Sequence, residues 1–266
     1  MTTGALLFAY NNDTIDYVNM AEWTAKNIHR HLDIPVALVT DVMPNSTEFD
    51  KVILVPSTSE NTRYFSDYAE HVVWHNTNRS NAYELSPWDQ TLVLDVDYVV
   101  AGDSLRTVLD DSHNFLAHRW AYDITGINDF SGLNYFGNYN MPMWWATVMM
   151  FRRDKTTQMI FDTMNMIRDN WPHYRNLYAN PRYTYRNDHA LSIALNIIDG
   201  HTLAYPGIPW KLASLTPEHN LTEISQDEYR VDFVTPDKKS RWISIKNQDF
   251  HAMGKKQLGA IIDNSH

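Results

Sequence analysis

Short apolar runs that end in polar residues, separated by a segment of helical period, limit the folds open to this chain. Ala5-Leu6-Leu7-Phe8-Ala9 reads as a buried strand and runs into the polar pair Asn11-Asn12. Tyr17, Val18, Met20, Ala21, Trp23, Ala25, Ile28 and Leu32 then recur at the spacing of one helix face, with Asp13, Thr14 or Asp16 available as its cap. Asp33-Ile34-Pro35 stops that helix, and Val36 to Asp41 and Val52 to Val55 read as a second and a third buried strand. Strand, helix, strand in this order predicts a parallel sheet with right-handed crossovers, whose ligands collect at the C-terminal strand ends.

Beyond residue 56 the pattern continues less evenly. Residues 57–80 are polar and aromatic and predict a loop with a helical turn. Ala82 to Pro87 predicts a short helix, Thr91 to Leu94 a strong buried strand, Leu105 to Leu109 a helix and Phe115 to His118 another strand. Residues 123–140, rich in Gly, Asn and Asp, predict a long irregular loop. Ala146 to Phe151 is strand-like, residues 154–170 are helical by period, and Asn187 to Ile198 is a late helix ended by Gly200. No repeat and no low-complexity linker interrupts the 266 residues. The expectation is one α/β domain over 1–266 with a mostly parallel, Rossmann-like sheet flanked by helices. Its nucleotide-binding half covers about 1–110 and its acceptor or sugar half about 111–266.

Composition narrows the function. The absence of cysteine excludes disulfides, zinc–thiolate sites and cysteine nucleophiles, and suits a reducing, cytoplasmic compartment. No run approaches the ~20 apolar residues of a membrane span, and the N-terminus lacks the basic region of a signal peptide. A formal charge of −10 argues against a protein that coats nucleic acid, although it leaves room for a local basic patch. Aromatic residues make up 13% of the chain, enough to serve ring recognition as well as the core.

The sharpest chemical signal is Leu92-Val93-Leu94-Asp95-Val96-Asp97. Two carboxylates at i, i+2 leaving an apolar strand repel each other, and both stay ionised only beside a cation. Hard divalent ions such as Mg²⁺ or Mn²⁺ accept oxygen ligands and leave positions for substrate phosphates, so Asp95 and Asp97 could hold a metal that neutralises a diphosphate leaving group. The plain alternative is two acids solubilising a strand end. Asp95-Val96-Asp97-Tyr98-Val99 also fits a D-x-D-x-V phosphatase pattern with Asp95 as nucleophile, but that pattern belongs after a first strand.

The surroundings form one continuous phrase: Arg79, Asn81, Tyr83, Ser86-Pro87, the Leu92 to Asp97 strand end, then Gly102-Asp103. Trp145 to Phe151, Asn187-Asp188-His189-Ala190-Leu191 and His251-Ala252-Met253-Gly254-Lys255-Lys256 follow in order. Taken together these resemble GT-A-fold, glycogenin-like glycosyltransferases that use nucleotide-diphosphate sugars through a D-x-D motif. The phrasing is most similar to GT-A-type proteins of large tailed bacteriophages. Two departures stand out: the usual Asn, Ser and Gly are absent from Trp145 to Met150, and the closing motif is shortened.

The resemblance implies a GT-A-like fold and a nucleotide-sugar donor, with UDP-sugar and retention of configuration expected. It implies that Asp95, Asp97 and His251 hold Mn²⁺ or Mg²⁺, imidazole favouring Mn²⁺ somewhat. Gly254 and Lys255 would approach the diphosphate, with Lys255 and Arg79 stabilising charge on the leaving group. Ala9, Tyr10, Asn11, Asn12, Tyr17, Asp41 and Val96 would hold the nucleoside, and Asp188 the donor sugar. A helix cap is the plain reading of Asn187 and Asp188, and a surface histidine that of His251.

Trp171 to Arg186 reads WPHYRNLYANPRYTYR, with Arg175, Arg182 and Arg186 among aromatics and no acid. With Trp145 it is the candidate acceptor surface, since arginines and aromatics can hold phosphates and stack bases. The plain alternative is a partly buried loop whose arginines pair with the chain's carboxylates. With the phage resemblance the segment points to hydroxymethylated pyrimidines of phage DNA as acceptor, in the host cytoplasm; a glycan or small-molecule acceptor, and non-catalytic nucleotide binding, are the rival readings.

Overall fold

The computed structural model describes residues 1–57, 62–65, 70–73, 76–180, 182–202 and 204–264. Along the chain run β1 (Thr3–Phe8), α1 (Tyr17–Leu32), β2 (Val36–Thr40), β3 (Lys51–Leu54), β4 (Thr62–Phe65), β5 (Glu70–Val73), a 3₁₀ stretch (Asn76–Asn81), α2 (Ala82–Leu85), β6 (Gln90–Leu94), β7 (Tyr98–Val99) and α3 (Ser104–Asp110). Then come β8 (Phe115–His118), β9 (Ala121–Asp123), a second 3₁₀ turn (Ser131–Asn134), β10 (Tyr135–Phe136), β11 (Met141–Pro142), β12 (Trp145–Arg152), α4 (Lys155–Asp169), α5 (Trp171–Tyr178) and α6 (Asn187–Ile198). The chain finishes with β13 (Leu212–Leu215), β14 (Asn220–Ser225), β15 (Glu228–Val234), β16 (Ser240–Lys246), β17 (Phe250–Ala252) and α7 (Lys255–Asn264).

The central sheet has the order β3-β2-β1-β6-β12-β8. Its first four strands pair in parallel, while β12 lies antiparallel to both β6 and β8. Strands β1, β2 and β6 are buried along essentially their whole length, which is why they read as unbroken apolar runs rather than alternating ones. Reversal of β12 has a functional consequence: its first residues, Trp145 to Thr147, lie at the edge where β6 ends. A second sheet, β7-β17-β13-β9, has β9, β13 and β17 parallel and β7 antiparallel to β17. The β14-β15-β16 meander forms a third sheet. One contiguous apolar core runs through all of these. Strands β8 and β12 of the later half complete the central sheet, and β7 of the earlier half joins the second, so a division near residue 110 cuts through both sheets.

The mostly parallel α/β architecture agrees with the expectation. Asp16 caps α1, its carboxylate accepting from the Asn19 N–H (2.9 Å), and Asp33 ends it in the left-handed conformation at φ 51°. Several local expectations fail. Residues 57–80 hold the β4–β5 hairpin as well as the helical turn, although 58–61, 66–69, 74 and 75 lie outside the described residues. The 123–140 loop contains a 3₁₀ turn and β10, which pairs with β11. Residues 171–178 form a helix with Pro172 in its first turn, where the missing N–H costs nothing.

Candidate functional site

The site grows from the end of β6. After Leu94 the chain turns sharply, the Tyr98 N–H bonding the Asp95 carbonyl (3.0 Å), while Asp95 N–H reaches Thr147 O of β12 (2.9 Å). On the other side the Ala252 N–H bonds Asp97 O (2.9 Å) and His251 pairs with Tyr98, so β17 brings the histidine to the two acids. Thr24 of α1 fixes the intervening peptide through its hydroxyl on Val96 O (2.9 Å). The outcome is one group of potential ligand atoms on Asp95, Asp97 and His251, all within 4.8 Å of one another. His251, distant in sequence from Asp95 and Asp97, meets them in the structure.

Two cations attend the acids. Arg79, 2% exposed, lays Nη2 2.5 Å from Asp95 Oδ1 and donates Nη1 to Ala146 O (2.9 Å). Lys255, the first residue of α7, places Nζ 2.6 Å from Asp97 Oδ2, and His251 Nε2 lies 3.4 Å from the same oxygen. Burial pushes the Asp97 carboxyl up, but Lys255 and His251 more than offset it and hold the group well below the usual carboxylate range. Burial opposes the charge on Lys255, yet Asp97 raises the ammonium above the ordinary lysine value. Asp95 goes the other way: burial raises its carboxyl, and Arg79 beside it does not fully compensate.

From Arg79 the polar chain continues across β12. The Ala146 carbonyl takes Arg79, and the Ala146 N–H bonds Asp188 Oδ1 (2.9 Å). Asp188 Oδ2 pairs with Arg186 Nη2 at 3.0 Å. Asp188 sits in the first turn of α6, whose N-cap is Arg186, so its carboxylate binds a neighbouring strand rather than capping its own helix. Ala146 was not among the expected site residues, because its part is played by its peptide and no side-chain pattern announces it.

The nucleoside-side expectations divide. Ala9 and Tyr10 are buried at the end of β1, and Asn78 Nδ2 lies 3.4 Å from the Tyr10 hydroxyl. Val96 is buried in the turn between the acids, Asp41 is exposed beyond β2, and Tyr17 is half-buried at the start of α1. Gly254, just before Lys255, lies close to Pro217, where an added Cβ would meet ordinary contact at 3.4 Å. Asn11 and Asn12 also build the loop: Asn11 Oδ1 accepts from Val18 N–H, and Asn12 Oδ1 from the Thr14 and Ile15 N–H groups (each 2.9 Å).

The expected acceptor segment is mixed, with Trp171, Ala179 and Tyr185 turned inward and Leu177, Arg182, Tyr183 and Thr184 exposed. Trp145, Trp171 and Tyr185 are buried, and His189 stacks with Trp171, Tyr183 and Phe136. Arg186 pairs with Asp188, Arg175 is half-buried, and Arg182 is exposed. The rings of Trp145, Trp171 and Tyr185 therefore serve the core and offer no stacking face to a base.

No protein-family model and no curated protein sequence matches the chain. Among solved structures it is similar to the glycosyltransferase GlyE of Streptococcus pneumoniae TIGR4 (TM-score 0.45, 15% identity, 78% of this chain and 45% of that one). It is also similar to the galactosyltransferase LgtC in complex with donor and acceptor sugar analogues (TM-score 0.45, 14% identity, 72% and 70%). A third is a glycosyltransferase involved in glycosylation of the major capsid of PBCV-1 (TM-score 0.35, 14% identity, 67% and 71%). The chain spans 45% of the length of the first of these.

Proposed function

We propose that the protein is a GT-A-type glycosyltransferase that transfers a sugar from a nucleotide-diphosphate donor, with UDP-sugar as the expected donor. The observation that carries this reading is the Asp95, Asp97 and His251 cluster beyond the end of a central parallel strand, where α/β sheets bind ligands. Two carboxylates and an imidazole within 4.8 Å fit a divalent ion with bonds of roughly 2.0–2.2 Å after a small closure, and the donor set suits Mn²⁺ or Mg²⁺. When bound, such an ion supplies charge neutralisation for the diphosphate leaving group.

The chain's own groups do the rest. Lys255 is long enough to turn from Asp97 to a phosphate oxygen. Arg79, held by Ala146 O, presents a fixed positive charge beside Asp95. Asp188, anchored on the Ala146 N–H, offers its second oxygen to the donor sugar by exchanging Arg186 for a hydroxyl. Retention of configuration and a hydroxymethylated DNA acceptor are the finer parts of the reading. For DNA the support is the exposed Arg182 and Tyr183 with the half-buried Arg175 in the same acid-free segment. Salt-sensitive binding of hydroxymethylated DNA that weakens on Arg182→Ala is expected, and salt-insensitive transfer to a small glycan would end it.

Calorimetric titration of UDP tests the core of the proposal. Binding is expected with Mn²⁺, and is expected to vanish with EDTA or in Asp97→Ala. UDP binding that ignores both the metal and Asp97 would sink the transferase reading. Failure of UDP, GDP, CDP, ADP and TDP alike would do the same.

No helix among the described residues is long and apolar enough to cross a membrane.

A further inference from the structure

The two acids of the site already have their charges matched. Asp95 carries Arg79 at 2.5 Å and Asp97 carries Lys255 at 2.6 Å, so two carboxylates face two cations and the local sum is zero. The two cations differ in freedom. Arg79 is 2% exposed and tied to Ala146 O, whereas the Lys255 side chain is 20% exposed, opens α7 and hangs on a flexible stem. An ion that takes Asp97 Oδ2, the oxygen that also faces His251, must displace Lys255 and not Arg79.

We infer that Lys255 makes cation binding at Asp95, Asp97 and His251 conditional on a diphosphate, the ammonium standing in for the metal on Asp97 until phosphate oxygens arrive to receive it. This rests on the metal reading given under Proposed function. A divalent ion alone would leave the pocket with two surplus positive charges, one of them on a displaced lysine with no counter-ion, and an unpaired charge in a largely buried site is costly. A diphosphate diester brings two negative charges and returns the sum to zero, and UDP, a monoester, brings at least as many. Metal and diphosphate therefore enter as a neutral pair, and each must raise the affinity of the other by the same factor.

Mn²⁺ titrations followed by electron paramagnetic resonance test this without turnover, with and without UDP. In the wild-type protein Mn²⁺ is expected to bind about tenfold or more tightly once UDP is present, after correction for Mn²⁺–UDP in solution. Lys255→Met should bind Mn²⁺ alone more tightly than wild type and lose most of the enhancement by UDP. Lys255→Arg, which keeps the charge, should behave as wild type, and so should Lys256→Met, which removes a neighbouring charge. Both also control for misfolding. Equal Mn²⁺ affinity in wild type and Lys255→Met, or an unchanged enhancement by UDP, overturns the role of Lys255 while leaving the metal site standing. Absence of Mn²⁺ binding to every variant with or without UDP overturns the metal site itself.

Discussion

Arg79 ties the site to the stability of the fold. It is almost wholly buried and neutralises Asp95, so Arg79→Met removes a charge partner and leaves a poorly solvated carboxylate. A loss of about 3 kcal/mol is expected in urea denaturation, the lower end for breaking a buried pair, because Asp95 keeps some exposure. A second residue sets acid sensitivity. His118 is buried, donates Nδ1–H to Trp210 O (3.1 Å), and burial pushes its pKa down from 6.5 to about 4. The folded state thus holds this imidazole neutral, while the unfolded chain protonates it below pH 6.5. Its contribution is complete above 6.5 and is lost as pH falls towards 4, on the order of 3 kcal/mol in all. Unfolding free energy measured across that window should fall with acid and flatten in His118→Phe; an unchanged slope would refute the assignment. At this scale the sequence is legible where chemistry is unusual. Paired acids after an apolar strand and a histidine before Gly-Lys stand out from background. Asn11 and Asn12 carry two readings, because the amide that could hold a nucleoside also closes a turn on its own backbone, and nothing in the letters separates the two uses.

Among the elements, β1 shows how packing fixes a small residue. A Cβ on Gly4 would lie 2.4 Å from the Trp88 ring, whose Nε1–H donates to Ala5 O (3.2 Å). Gly4→Ala should therefore cost about 1–3 kcal/mol in thermal or urea unfolding, and a neutral result would mean that Trp88 moves freely. Asp16→Ala should cost about 1 kcal/mol by removing the α1 cap. Which elements could be read follows the same physics. Strands β1, β2 and β6 are covered on both sides and leave unbroken apolar runs, and α4 and α6 carry clear helical period. The β14–β16 meander left no comparable trace, since only Leu221, Tyr229, Val231 and Ile245 of its apolar residues are buried and the outer face mixes Ile224, Val234 and Trp242 with charges. Strands β10 and β11, two residues each, are too short to have a period. Helix α5 is masked by Pro172 and interleaved aromatics, because nothing in the letters separates the buried Trp171 and Tyr185 from the half-buried Tyr174 and Tyr178.

For the molecule as a whole, the two sheets exchange strands and share one apolar core, so neither half holds a core of its own. Equilibrium unfolding should accordingly be one transition. Far-ultraviolet circular dichroism and tryptophan fluorescence, the latter reporting Trp23 and Trp88 early and Trp144 and Trp171 late in the chain, should give coincident curves. Separate midpoints would mean that the halves are independent.

One consequence lies in how such a protein would look to a mutational survey. The link between Arg79 and Asp188 passes through the backbone N–H and C=O of Ala146, and that residue is 1% exposed. An alanine scan skips the position because it is already alanine, and larger replacements would register there as crowding. Substitutions at Arg79 or Asp188 would break the ends of the link, but the share of the backbone at 146 would stay invisible to side-chain genetics. Exchanging the amide nitrogen of residue 146 for an ester oxygen, with every side chain kept, would address it directly.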